Sequence, residues 1–167
     1  IKKEENEFKV LCADGTFYLS DAVVLATGGA SYPLTGSTGD GYKFAKALGH
    51  TITPLKPSLV PVNVHEGFCT SLAGLSLKNV TLRVFEAEKK KPIFCEMGEM
   101  LFTHFGVSGP IVLSASSRIR TEEPERYAFY IDMKPALSEE RLDLRLQNDF
   151  SENINKDYIN SLNKLLP

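Results

Sequence analysis

The chain has 167 residues, of which 43% are hydrophobic and 24% charged, a composition that suits one ordinary globular domain or two small ones. Its net charge of −2, from 19 basic and 21 acidic residues, gives no overall pull toward nucleic acid. No run approaches the roughly 18 apolar residues of a membrane helix, and the charged start Ile1-Lys2-Lys3-Glu4-Glu5 is no secretory signal, so a cytoplasmic protein without a membrane partner is expected.

In chain order, the first thirty residues read as three strands. Phe8, Val10 and Cys12 alternate with polar positions, Ala13-Asp14-Gly15 supplies a tight turn, and Phe17 and Leu19 continue the alternation on the return strand. Ala22-Val23-Val24-Leu25-Ala26 is a continuous apolar run ending in Thr27-Gly28-Gly29, the pattern of a strand buried on both faces. Ala30 to Gly41 is loop by composition. Gly41 to Leu48 is helical, with Gly49 as its stop. Pro54, Pro57 and Pro61 crowd a connector that reads as a domain crossing.

Residues 58 to 105 read as β structure. Leu59, Val60, Val62 and Val64 form one candidate strand and Val80, Leu82 and Val84 a second. Ile93, Cys95 and Met97 form a third, followed by Met100-Leu101-Phe102. Several short strands at this spacing suggest a small barrel or sandwich, with Lys89-Lys90-Lys91 as a solvated hairpin tip. A helix is expected to start near Ser108, with Pro110 in its first turn. Tyr127 to Met133 reads as a strand and Ser138 as the start of a helix with Glu139 and Glu140 in its first turn. Ile154, Tyr158, Leu162 and Leu165 have helical spacing that stops at Pro167. The fold class is α+β.

Three constellations could carry chemistry. Ala26-Thr27-Gly28-Gly29 ends a strand where a backbone can approach a ligand closely; an ordinary strand-to-loop turn explains it equally well. Gly36-Ser37-Thr38-Gly39-Asp40-Gly41 leads into a helix and resembles a phosphate cradle in its physics, though it is neither a Walker A loop nor a GxGxxG turn. The alternative is a surface loop with Thr38 or Asp40 as N-cap. In Thr103-His104-Phe105-Gly106-Val107-Ser108-Gly109-Pro110, His104 could move a proton near neutral pH; otherwise it caps a turn, with Ser108 capping the next helix. His50, His65, Glu96 and Glu99 read as structural or solvated. Cys12, Cys69 and Cys95 have neither disulfide nor metal spacing, so no metal site is expected.

Taken together, Ala26 to Pro33 and Gly36 to Tyr42 resemble a signature of bacterial FAD- or NAD(P)-dependent oxidoreductases of the aminoacetone-oxidase-like and BaiN-like group, in the glutathione-reductase-type superfamily. The resemblance continues through Leu59-Val60-Pro61-Val62, Gly98 to Pro110, and Ile131 to Leu137. It implies a Rossmann-like FAD domain interrupted by a β-barrel insert and a helical part. On that basis residues 1–54 are part of the FAD domain (β-meander, strand, helix), 55–134 the barrel-like insert, and 135–167 the start of the helical subdomain. The family's GxGxxG turn is not in this sequence, which therefore resembles an internal fragment expected to be inactive alone.

The resemblance implies FAD, and NAD(P)H as a candidate donor, acting on a small-molecule substrate. Ala26, Thr27, Gly28 and Gly29, then Ser31, Tyr32, Gly36, Ser37, Thr38, Gly39, Asp40 and Gly41, would contact FAD through backbone. His104 and Ser108 would stand on the substrate side. Two other readings remain open: a cofactor-free β-rich folding or interaction module that self-associates through exposed strand edges, and a phosphate- or nucleotide-binding domain unrelated to flavin.

Overall fold

The structure, a computed structural model, describes residues 1–120 and 123–166. It divides into two units, Ile1–Leu55 and Lys56–Pro167, each considered by itself.

In the first unit, Lys2–Glu4 (β1), Glu7–Leu11 (β2) and Phe17–Ser20 (β3) form an antiparallel meander in the order β1-β2-β3. The β2–β3 turn follows from its residues. Gly15 takes φ +86°, and the Asp14 carboxylate accepts from both the backbone N–H (2.9 Å) and the hydroxyl (2.7 Å) of Thr16. Asp40–Ala47 forms a helix (α1). Its end is set by Gly49 at φ +92°, where the Gly49 N–H meets Lys46 O and the His50 N–H meets Ala45 O, both at 3.0 Å.

The meander holds three strands, but they are not the three expected. The charged run Lys2–Glu4 supplies the first, pairing Lys3 opposite Phe8. Ala22 to Ala26 is not a strand, and Val24 is 89% exposed. A strand buried on both faces needs paired neighbours and covering helices. Among the described residues of this unit every paired strand is antiparallel and none reaches residues 22–26. The Rossmann-like parallel arrangement is therefore not formed here.

The second unit is built on five antiparallel strands curled into a half-barrel. They are Val62–Asn63 (β4), Ser76–Glu86 (β5), Phe94–Thr103 (β6), Gly106–Ser108 (β7) and Tyr127–Asp132 (β8), in the order β4-β7-β6-β5-β8. Register fixes the inner face. Leu77 lies opposite Met100 and Val80 opposite Gly98. Met100 and Gly98 are two apart on β6, so they share a face, and Leu77 and Val80 must share it too although they are three apart. A bulge between them, with Asn79 at φ +55°, absorbs the extra residue.

Leu82, Val84, Phe94, Phe102 and Val107 complete that face, and Tyr127, Phe129 and Ile131 of β8 pack against it. Leu82 and Val84 are fully buried, each worth about 1.5–3 kcal/mol relative to exposure. The β6 phase departs from the expected Ile93, Cys95, Met97 set: the buried set is Phe94, Met100 and Phe102, and Met97 is 66% exposed. Pairing of Phe94 with Val84 sets that phase, which alternation alone leaves open.

Phe68–Ser71 (α2) and Pro110–Ser116 (α3) pack on this sheet. Ile111 of α3 fits against Gly98, where a Cβ would lie 2.5 Å from Ile111 Cγ2. Gly109, not Ser108, occupies the α3 N-cap, because Ser108 is already paired with Leu101 in the sheet. Glu139–Glu152 (α4) begins as expected, with the Ser138 hydroxyl accepting from the Arg141 N–H at 3.4 Å. In the stretch expected to be helical from Ile154, only Tyr158–Ser161 (α5) is a helix. The expected stop at Pro167 lies outside the described residues.

Candidate functional site

In the first unit the two glycine segments fold onto each other. The Gly39 N–H donates to Gly29 O at 3.1 Å. A Cβ on Gly28 would lie 2.9 Å from Ser37 Oγ, and one on Gly41 would lie 2.5 Å from Thr27 Oγ1. Gly28 thus packs closely on Ser37, and Gly41 on Thr27. Gly39, at φ +78°, is the N-cap of α1. Neither Thr38 nor Asp40 caps the helix. The Thr38 hydroxyl instead donates to Asp40 Oδ2 at 2.8 Å, and Lys43 Nζ donates to Asp40 Oδ1 at 2.7 Å.

The electrostatics at this helix start are specific. The Lys43 ammonium, then the Thr38 hydroxyl, hold the Asp40 carboxyl below the usual carboxylate range. An acidic side chain thus already takes up the favourable field of the α1 N-terminus. Ser31, Tyr32 and Gly36 lie on an exposed loop: Tyr32 adopts φ +54°, Pro33–Thr35 makes a short 3-10 turn, and open space surrounds Gly36. A cofactor held here would meet the exposed backbone of Ala26, Ser31, Tyr32 and Gly36. The space beside Gly28 and Gly41 is taken by the chain's own side chains. The exposed backbone on the loop's open side leaves room for a group held by main chain.

In the second unit, the run Thr103 to Pro110 is a hairpin followed by a helix start. His104 and Phe105 form the two-residue tip between Thr103 and its partner Gly106. His104 is exposed, stands edge-on to the Phe105 ring at 4.8 Å between centroids, and its carbonyl accepts from the Thr70 hydroxyl at 3.5 Å. Ser108 is half-buried in the sheet. Its partner Leu101 belongs to the set opposite Met100 and Phe102, so Ser108 lies on the face away from the core. Gly106 and Gly109 are places of close backbone approach. A Cβ on Gly106 would overlap Val62 O, and one on Gly109 would lie 2.8 Å from Met100 Cα. Thr103 Oγ1 is a buried hydroxyl without a hydrogen-bond partner.

The concave side of the half-barrel contains a cavity of about 730 Å³. Met100, Phe102 and Val107 line its floor. Val62 to Glu66, with Phe68 and Cys69, forms one wall and Tyr127 to Ile131 the other, with Ile119 and Glu125 beside it. Burial, and then the Glu66 carboxylate, raise the Cys69 thiol above its ordinary value. Sequence spacing alone does not reveal this cavity. Alternation marks Phe129 and Ile131 as inward, but nothing local says that β8 and β4 end as facing edges. His65 lines this cavity; His50, Glu96 and Glu99 are exposed. Among the described residues, no group of three or more His, Cys, Asp or Glu side chains could hold a metal ion, and no helix is long and apolar enough to cross a membrane.

Residues 56–167 match the family model described as the HI0933-like protein barrel and H2TH domain, which takes in the whole half-barrel and the helices after it. The chain belongs to the HI0933-like family. Among its relatives is a protein of Clostridium scindens named 3-dehydro-bile acid delta(4,6)-reductase, 34% identical over 110 residues, or 66% of this chain and 26% of that protein. Ribosomal RNA dihydrouridine synthase of Haemophilus influenzae is 35% identical over 119 residues, 70% of this chain and 28% of the relative. Its namesake in Escherichia coli is 34% identical over 120 residues, with the same coverage. The chain thus spans about a quarter of the length of these HI0933-like relatives.

Proposed function

We propose that this HI0933-like segment is part of a flavin-dependent oxidoreductase that adds hydrogen across an activated carbon–carbon double bond. One observation carries the reading: relatives sharing this region are named as a delta(4,6)-reductase and as dihydrouridine synthases. Both names describe saturating a double bond conjugated to a carbonyl group. That reaction needs a hydride on one carbon and a proton on the other. FAD, when bound, would supply the hydride and be re-reduced by NAD(P)H.

The exposed backbone of Ala26, Ser31, Tyr32 and Gly36 would grip the cofactor, with Gly28 packed on Ser37 and Gly41 on Thr27. That glycine packing would hold the loop in shape. His104, exposed at its hairpin tip, is the candidate to hold or move the proton, with Ser108 as a weaker substrate-side candidate. The substrate is proposed to be a small molecule. This segment has a net charge of −2 and one run of three lysines, of which Lys89 is paired with Glu86, so it offers little for a phosphate backbone. Residues 1–167 alone are proposed to be inactive.

The test uses the full-length polypeptide. It is reduced anaerobically with NADPH, then mixed with a conjugated steroid enone or, separately, with unmodified ribosomal RNA. Reoxidation by the enone, with a product two hydrogen masses heavier, is the expected result. Reoxidation by RNA alone would overturn the small-molecule substrate, and failure of both would overturn the reaction class.

A further inference from the structure

Tyr32 holds a conformation that its own surroundings do not offset. Its backbone is left-handed, at φ +54° and ψ +62°, a region that costs free energy for a bulky side chain. Pro33 follows it, and a proline pushes the residue before it toward extended backbone. Among the described residues, Glu5, Leu59, Asn79 and Glu88 also have positive φ. Glu5 and Glu88 lie in hairpin connections and Asn79 in the β5 bulge, where pairing of the strands sets the turn, and Leu59 leads into β4. Tyr32 lies beside no ladder. It is fixed locally instead: the Thr35 N–H and the Thr35 hydroxyl both donate to Tyr32 O, at 2.9 and 2.8 Å. Burial does not repay the strain, because Tyr32 is 81% exposed. Among the described residues its ring meets no other ring and its hydroxyl has no hydrogen bond.

We propose that Tyr32 offers its ring as a stacking surface for a planar conjugated ring system, either the isoalloxazine of the flavin or the enone of the substrate. The assignment rests on the proposed function. Strain that persists without packing to support it is a mark of a residue held ready for a ligand. An aromatic face stacks, offset, on a flat π system. Because Thr35 already fixes the Tyr32 backbone, only rotation of the side chain remains to be ordered on binding. Ser31 and Gly36, whose main chain is exposed, belong to the same loop. The ring and the main chain proposed to grip a cofactor are therefore presented together.

The test compares the full-length wild-type polypeptide with Tyr32→Phe and Tyr32→Gly. Three quantities are read: the melting temperature without flavin, the dissociation constant for FAD by ultrafiltration, and that for a conjugated steroid enone from the flavin absorbance of the FAD-saturated protein. Tyr32→Gly is expected to melt within about 4 °C of wild type, since a relaxed backbone offsets the greater freedom of glycine in the unfolded chain. It is also expected to bind FAD or the enone about tenfold more weakly. Tyr32→Phe, which keeps the ring, should bind both within about twofold of wild type. Weakened FAD binding assigns the ring to the flavin, and weakened enone binding assigns it to the substrate. A larger fall in melting temperature shows a ring packed inside the polypeptide and overturns the proposal. Unchanged affinity for both ligands in Tyr32→Gly, or an equal loss in Tyr32→Phe, also overturns it. A wild type that binds neither ligand overturns the proposed function as well, whereas a wild type that binds them as tightly as Tyr32→Gly does overturns only the role of Tyr32.

Discussion

Gly109 stands directly against Met100: a Cβ at Gly109 would lie 2.8 Å from Met100 Cα and 3.1 Å from Leu101 N. The backbone after β7 turns over the centre of β6 at this point and starts α3. The run from Gly98 to Pro110, the most specific motif in the sequence, is therefore at least partly a packing motif. Gly98 admits Ile111, Gly106 admits the backbone of Val62, and Gly109 admits β6.

Replacing Gly109 with alanine should accordingly destabilise the chain by at least about 2 kcal/mol, from overpacking and from a φ of +99° that alanine resists. Gly67→Ala is the matched control. Gly67 has φ −60° and nothing within 4 Å of an added Cβ, so the change should be neutral or mildly stabilising. Urea denaturation of both variants checks the pair.

Core truncation should locate the stability of the second unit. Leu82 is fully buried at the centre of β5, and Leu82→Ala should cost about 2–5 kcal/mol. Met97→Ala on the exposed face of β6 should cost within about 0.5 kcal/mol. Equal losses from the two would contradict the β6 phase described above.

The phase of β6 shows what was legible in the sequence. The hairpin at Asp14-Gly15, the long strands β5 and β8, the stop at Gly49 and the cap at Ser138 are all local effects, and each was readable. The β6 phase was not, because Ile93, Cys95 and Met97 form the more apolar alternate set, and only the pairing of Phe94 with Val84 puts the other set on the core face. The run Ala22 to Ala26 misled for a related reason: a strand exists only beside another strand. Of the candidate site, the contact between Thr27–Gly29 and Ser37–Gly41 follows two motifs visible in sequence. The cavity does not, since it arises from which edges are left over.

Glu86 gives a pH dependence. Lys89 hydrogen-bonds its carboxylate and, with Arg126 and Arg120, holds it below its ordinary value of 4.5. A carboxyl depressed in the folded state adds stability above its unfolded value and loses it as pH falls through the folded one. Wild type should therefore be more stable than Glu86→Gln at neutral pH. The gap should start to close below about pH 4.5 and vanish at lower pH, as read by denaturation at a series of pH values.

The thiols should separate by reactivity. Cys95 is exposed, whereas Cys69 is buried beside Glu66 with its thiol raised. Iodoacetamide followed by peptide mass mapping should label Cys95 first and Cys69 last, and urea should remove the difference.

The proposed function implies that this HI0933-like chain is part of a flavin enzyme whose cofactor needs more protein than residues 1–167. A visible absorbance spectrum after incubation with excess FAD and gel filtration, run on the full-length polypeptide and on residues 1–167, tests it directly. The account predicts retained flavin bands in the first and a colourless, folded second. A full-length protein that retains no flavin, or a segment that holds it stoichiometrically, would contradict the account.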